Sequence, residues 1–237
     1  MGQEYTKKTL GIFSLTCCEG CQFELLNFYD DFSHILNFYD IKNFSLAKEE
    51  NLPGPFDVAL VEGTPETEEE LELLKSIRKE SKIVVALGTC AHLGGVQAAR
   101  NYPESEIKGK KPVTPISKIV TVDFTLPGCP INRHEAYQTL VDIYHGRKLV
   151  EKDFSVCFEC RKNQVECLLK KDLPCLGPVT LGGCGAICTK NGFVCLGCRG
   201  PIKKANLYKI KEMFKDLLPG DQLNKRLEIY GEFTEEL

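Results

Sequence analysis

The sequence predicts an α/β fold, a doubly wound parallel sheet followed by a small, irregular, cysteine-rich domain. Three observations carry this. Apolar runs alternate with amphipathic stretches over the first 150 residues; cysteines recur in the loops after those runs; and eight of the thirteen cysteines crowd between Cys157 and Cys198, where glycine and proline interrupt any periodicity. With 237 residues, 43% of them hydrophobic, the chain can bury a real core as one large domain or two unequal ones. The division expected is residues 1–150 for the sheet domain and 151–237 for the cysteine-rich domain with a C-terminal helical tail.

The elements follow in order. "TLGIFSL" (9–15) is a short apolar run, read as a strand. Cys21, Leu25, Phe28, Phe32 and Leu36 then recur at three- to four-residue spacing, which predicts an amphipathic helix. "DVALVEG" (57–63) is a second buried strand. Thr64 can cap the helix after it, with Pro65 as its first residue and Glu66, Glu68 and Glu69 in its first turn; that position accounts for the acids without any ligand. "KIVVALG" (82–88) and "KIVTVDFTLPG" (118–128) repeat the strand pattern, and Asn132 can cap a helix from Arg133 to about Tyr144.

Charge and composition exclude several function classes. Thirty basic and 33 acidic residues give a net charge of -3, so no global field draws the chain to nucleic acid or to an anionic membrane. The basic run Lys108-Gly109-Lys110-Lys111 reads as a solvated loop. No stretch approaches the ~20 apolar residues of a membrane helix. The opening "MGQEYTKKTLGIFSL" has neither a signal-peptide pattern nor a twin arginine, so a cytoplasmic location is expected. Ser14 and Ser45 lack a G-x-S-x-G elbow, and no Walker A or G-x-G-x-x-G fingerprint is present, so the chain is expected to bind neither NAD(P) nor flavin itself.

The thiols are the extreme feature. Without a secretory signal they point to metal rather than to disulfides. Three of the four loops after the strands, "CCEGC", "VEGT", "GTCA" and "PGCP", carry cysteine, and such loops meet at the carboxyl edge of an open parallel sheet. Cys18, Cys21, Cys90 and Cys129 can therefore converge, and four thiolates suit either a tetrahedral zinc or an iron–sulfur cubane. Gly20, Gly88 and Gly128 beside the thiols, and a helix start near Cys21 whose amides point at an anionic centre, suit the bulkier cluster more than a bare ion. Downstream, "CFEC" (157–160), Cys167, Cys175, Cys184, Cys188 and "CLGC" (195–198) divide into two sets of four. Bound clusters would supply the core that this Gly- and Pro-rich stretch lacks. Zinc ribbons also use C-x-x-C pairs, so spacing alone leaves both metals open there.

The set "CCEGC", "VEGT", "GTCAHLGG" and "PGCP", in that order, resembles the small, electron-transferring subunit of nickel–iron hydrogenases and the related 20 kDa subunit of respiratory complex I. The resemblance spans roughly residues 8 to 200. It implies a flavodoxin-like fold and a proximal [4Fe-4S] cluster on Cys18, Cys21, Cys90 and Cys129. It further implies two more clusters, one on Cys157, Cys160, Cys167 and Cys175 (distal) and one on Cys184, Cys188, Cys195 and Cys198 (medial), making three [4Fe-4S] clusters. The complex I branch has a tandem cysteine pair without the counterpart of Cys21, and lacks the eight-cysteine tail, so both features favour the hydrogenase side. Membrane-associated hydrogenases carry histidine at the place of Cys157 and often lack the ligand at Cys188. The chain is therefore more similar to the cytoplasmic multisubunit enzymes, among them the bidirectional NAD(P)-linked ones and the sulfhydrogenases.

That resemblance implies as partners a nickel–iron large subunit, which cleaves dihydrogen, and iron–sulfur and flavin subunits that exchange with NAD(P). Subunits of F420-reducing or heterodisulfide-reductase-linked hydrogenases, a complex I-like subunit and a zinc-stabilised interaction protein are the alternatives. Glu62, in "VEG", matches a recurrent glutamate of the family, implying a role in tuning the cluster or moving protons; otherwise it is an acceptor holding the loop. Cys17 reads as a packed, apolar thiol, with ligation the alternative. His92 can orient or tune the cluster by hydrogen bonding or can simply pack.

Overall fold

A computed structural model describes residues 6–27, 29–101, 112–218 and 221–231. Five strands, β1 (Lys8–Ser14), β2 (Tyr39–Phe44), β3 (Phe56–Glu62), β4 (Ser81–Leu87) and β5 (Phe124–Leu126), form a parallel sheet in the order β2-β1-β3-β4-β5. This is the flavodoxin-like winding, in which the chain moves outward from β1 in both directions and opens a crevice at the carboxyl ends of β1 and β3. Val58, Ala59, Leu60 and Val61 of β3 are all fully buried. Such continuous apolar runs belong to strands covered on both faces. Alternation with period two sends Leu10, Ile12, Val58, Leu60, Val85 and Leu87 to one face and Phe13, Ala59, Val61, Val84 and Ala86 to the other.

The helices α1 (Gly20–Leu26), α2 (Tyr29–Phe38), α3 (Glu68–Glu80), α4 (Gly88–Leu93) and α5 (Arg133–Tyr144) accompany this sheet. Leu25, Ile35, Leu140 and Ile143 pack on its first face, and Leu74 and Ile77 of α3 on its second. The single helix expected over Cys21–Leu36 is two helices, separated after Leu26. The break resets the helical phase. Cys21 and Leu25 are buried as expected, but Ile35 takes the inward position and Leu36 is 42% exposed; Phe28 and the side chain of Phe32 lie outside the described residues. The edge strand β2, "YDIKNF", escapes the sequence reading because its polar residues dilute the apolar pattern, as is common for edges.

Two further boundaries move. α3 starts at Glu68 rather than Pro65: Thr67 accepts from Glu70 N at 3.2 Å while Glu70 Oε2 accepts from Thr67 N at 3.2 Å, a reciprocal capping box. Thr64 instead pairs its backbone with Thr16, and its buried hydroxyl caps nothing. The strand expected over 118–128 is shortened to β5, with a 3-10 turn at Ile116–Lys118 before it. The Asp123 carboxylate takes the Val84 amide at 2.8 Å, occupying a donor that a longer ladder would use. α5 spans the expected residues, with Asn132 Oδ1 accepting from Glu135 N at 3.1 Å.

Contacts divide the chain into two units, Met1–His92 with Val113–Val150, and Leu93–Pro112 with Glu151–Leu237. The second contains α6 (Val156–Lys162), α7 (Ile187–Lys190), α8 (Leu207–Phe214) and α9 (Asp221–Glu228). It has two cores: an aliphatic one of Leu176, Val179, Leu207, Ile210, Phe214, Leu218 and Leu227, and a thiol-rich one of Val156, Leu168, Cys175, Ala186 and Cys195. The run Lys108–Lys111 lies outside the described residues. Among the described residues no helix is long and apolar enough to cross a membrane.

Candidate metal centre

Cys18 lies in the loop after β1, Cys21 on α1, Cys90 on α4 directly after β4, and Cys129 in the loop after β5, so the fold gathers all four at the carboxyl edge of the sheet. They act on one another: Cys90 feels Cys129 and Cys18, Cys129 feels Cys18, and Cys21 feels Cys90. A bond from Thr89 N to the Gly128 carbonyl, 2.9 Å, ties the loop after β4 to the loop after β5. Gly88 has φ +78°, and a Cβ there would stand 2.4 Å from Cys21 Sγ, so only glycine lets the strand end approach the thiol. Burial, then the neighbouring Cys129 and Cys18, pushes the Cys90 thiol up to about 12, and burial with Glu62 pushes Cys21 up as well. Thiols so placed become thiolates through a bound electrophile rather than spontaneously.

Glu62, at the end of β3, is 1% exposed. Its Oε1 accepts from Cys21 N at 3.0 Å, and its Oε2 from Gln22 N at 3.2 Å and from Gln22 Nε2 at 3.1 Å. The amides at the start of α1 therefore bond this carboxylate instead of pointing freely at an anionic centre, which corrects that part of the sequence reading. Gln22 Nε2 also donates to Ser14 Oγ at 2.6 Å, and Ser14 Oγ to Glu19 Oε1 at 2.9 Å. Sequence reasoning missed Gln22 and Ser14, because nothing in their local pattern names partners eight and forty residues away. Cys17 is half-buried beside the set, and burial, then Glu62, pushes it up to about 12.

In the second unit α6 presents Cys157 and Cys160 three residues apart, on one helical face. Cys157 is pushed up to about 11 by burial and then by Cys160, Cys175 and Cys167, which lie near it. Gly177 fits closely against them: a Cβ there would lie 3.3 Å from Cys157 Sγ and 3.5 Å from Cys175 Sγ. Of the remaining four, Cys195 and Cys198 act on one another, and Cys195 N donates to Cys175 Sγ at 3.2 Å, linking the two sequence-assigned sets. Cys184 receives the amides of Ala186 and Ile187 and faces Glu159 and Arg199, while Cys188 is exposed on α7.

Among the described residues no three His, Cys, Asp or Glu side chains are grouped as a mononuclear metal site. Groups of soft thiols, glycines packed against their sulfurs and amides donating to sulfur fit a polynuclear iron–sulfur group.

Over residues 18–143 the chain matches the family described as the NADH ubiquinone oxidoreductase 20 kDa subunit. It is 43% identical to the sulfhydrogenase 2 subunit delta of Pyrococcus furiosus, over 94% of this chain and 98% of that protein. It is 30% identical to a vhu subunit of the F420-non-reducing hydrogenase of Methanocaldococcus jannaschii, over 83% of each. Among solved structures, a chain of an NAD+-reducing [NiFe]-hydrogenase in the H2-reduced state matches with a TM-score of 0.53 at 27% identity, over 60% of this chain and 94% of that one.

Proposed function

Because the chain belongs to the family of the NADH ubiquinone oxidoreductase 20 kDa subunit and is a hydrogenase subunit of that type, we propose that it is the electron-relay small subunit of a cytoplasmic [NiFe] hydrogenase. It would carry electrons, through three [4Fe-4S] clusters, between a nickel–iron large subunit and iron–sulfur and flavin subunits that exchange with NAD(P). Cys18, Cys21, Cys90 and Cys129 would hold one cluster, Cys157, Cys160, Cys167 and Cys175 a second, and Cys184, Cys188, Cys195 and Cys198 a third. Each such group, when bound, accepts and releases one electron at a potential set by its ligands, hydrogen bonds and burial.

The observation that carries this reading is the meeting of Cys18, Cys21, Cys90 and Cys129 from three separate strand-end loops. The protein's own contribution is positional. Glu62 fixes the start of α1 and with it Cys21, Gly88 admits the Cys21 sulfur, and burial keeps water from Cys21. Similarity to the F420-non-reducing hydrogenase of Methanocaldococcus jannaschii favours a second reading, in which the electrons go to a different acceptor subunit.

The test is metal analysis of the complex purified without air. About twelve irons per chain, with matching sulfide and a copurifying nickel-containing subunit, are expected. A copurifying flavin subunit identifies the acceptor branch. Cys90→Ser is expected to remove about one cluster's iron and to block hydrogen-dependent reduction of acceptors beyond the relay, whereas Cys17→Ser leaves the iron unchanged. A colourless zinc protein, or full acceptor reduction after demonstrated loss of the cluster from the Cys90 variant, would overturn the proposal.

A further inference from the structure

Arg199 is 1% exposed and, among the described residues, heads the fully buried side chains by size. Its Nε donates to the Gly182 carbonyl at 3.0 Å. Its guanidinium lies over Gly183 so closely that a Cβ there would meet Nη2 at 2.5 Å; the same Cβ would lie 2.9 Å from Lys152 Nζ. Gly183 directly precedes Cys184, and Arg199 directly follows Cys198. Two cations thus gather on the backbone directly before the candidate ligand Cys184. Other charges face the same loop. Glu159 Oε1 accepts from Gly185 N at 3.0 Å with Oε2 3.8 Å from Cys184 Sγ, and Lys190 Nζ lies 4.0 Å from where a Gly185 Cβ would stand.

A guanidinium remains protonated at any working pH, and its field is strong where water is excluded. Four thiolates around an iron–sulfur core are net negative, and more so after reduction.

We propose that Arg199 is the fixed countercharge of an iron–sulfur group held by Cys184, Cys188, Cys195 and Cys198, stabilising its reduced form, with Lys152 as a weaker second. The inference rests on the relay reading above. Reduction then adds one electron and takes up no proton, because the balancing charge is already in place and cannot titrate. Arg199 acts through the group's potential and is a positioning residue, not a catalytic one.

The experiment compares Arg199→Gln, Arg199→Lys and Lys152→Gln in the intact complex, by iron count and by spectroscopically monitored redox titration. With iron retained, Arg199→Gln is expected to lower the reduced-to-oxidised ratio of this one cluster roughly tenfold at the wild-type midpoint potential. Arg199→Lys, which keeps the charge, should stay within about threefold, and Lys152→Gln should shift the ratio less than Arg199→Gln in the same direction. Full iron with an unchanged ratio in Arg199→Gln overturns the proposal. If Arg199→Gln loses iron, Arg199→Lys decides: full iron and a near wild-type ratio uphold the charge role, and any other result overturns it. Cys184→Ala separates this from the underlying reading, since unchanged iron and spectra in that variant would show that no cluster is held there at all.

Discussion

Gly88 and Cys188 are the two residues on which the reading of the thiols is most exposed to test. Gly88 combines a left-handed backbone with a sulfur at the place a Cβ would occupy, so Gly88→Ala is expected to displace Cys21 and lower the iron content by about one cluster, measured as iron per chain. Cys188 supplies the fourth thiolate of its set on the proposed assignment, and a cubane missing one thiolate tends to lose the unprotected iron. Cys188→Ala is therefore expected to gain a three-iron paramagnetic signal after air oxidation, with the other clusters preserved; an unchanged four-iron spectrum would show that Cys188 is no ligand. Cysteines are legible in a sequence because few other roles explain them at this density. Glu62 was visible only as a motif letter. That it receives the first amides of α1 follows from tertiary placement, and Gln22, which joins it to Ser14, carries no local signal at all. Arg199 had a signal that spacing rules pass over: an arginine set directly after a cysteine pair in a run rich in glycine and apolar residues.

Elements were legible where one local rule sufficed. α5 follows from Asn132 and its apolar period, and β3 and β4 from short apolar runs, because these features need no distant partner. β5 was overextended because its entry is decided by Asp123 capturing an amide of β4, a pairing across 39 residues. The junction of β1 and β3 is fixed in a similar way. Asp57 Oδ2 accepts from Thr9 N at 2.8 Å and from Thr9 Oγ1 at 3.1 Å, and Lys82 Nζ meets Oδ1 at 2.7 Å. Burial pushes the Asp57 carboxyl up, but Lys82 and the Thr9 donors outweigh it and hold the group below the usual carboxylate range. Because the folded protein binds this proton less readily than the unfolded chain, the stabilisation is complete above the unfolded value and fades as pH falls through the folded one. Asp57→Asn is expected to cost about 1–2 kcal/mol at neutral pH, and the gap between the wild-type and variant Tm should narrow below about pH 4. A gap that widens on acidification would show that Asp57 is not held ionised.

At the scale of the whole molecule, the two units have different means of support. The sheet unit has apolar cores on both faces, whereas part of the second unit packs around thiols. Stripping iron with a chelator under reducing conditions is therefore expected to raise amide exchange around Val156, Leu168, Cys175 and Cys195 first. The aliphatic core of Leu176, Leu207, Ile210 and Phe214 and the strands of the sheet should keep their protection longer; simultaneous loss everywhere would contradict this division. The grouping of Leu93–Pro112 with the second unit is not readable from periodicity, because it depends on residues far downstream, such as the backbone bridge between Gly94 and Gly231.

That grouping sets an order of events during synthesis. Gly94 leaves the ribosome well before Gly231, so the inserted segment waits for its partner while roughly 137 further residues are made, about 7–27 s at common elongation rates. The strands on either side of the insertion need no such delay, since β5 and α5 follow it closely. A nascent chain would thus complete its sheet while Gly94 still awaits Gly231, and both downstream cysteine sets, the last of which ends at Cys198, would be synthesised before that partner arrives. On the proposed assignment, cluster delivery to the second unit would have a natural interval, between synthesis of Cys198 and of Gly231, in which its thiols are all present and its final packing is not.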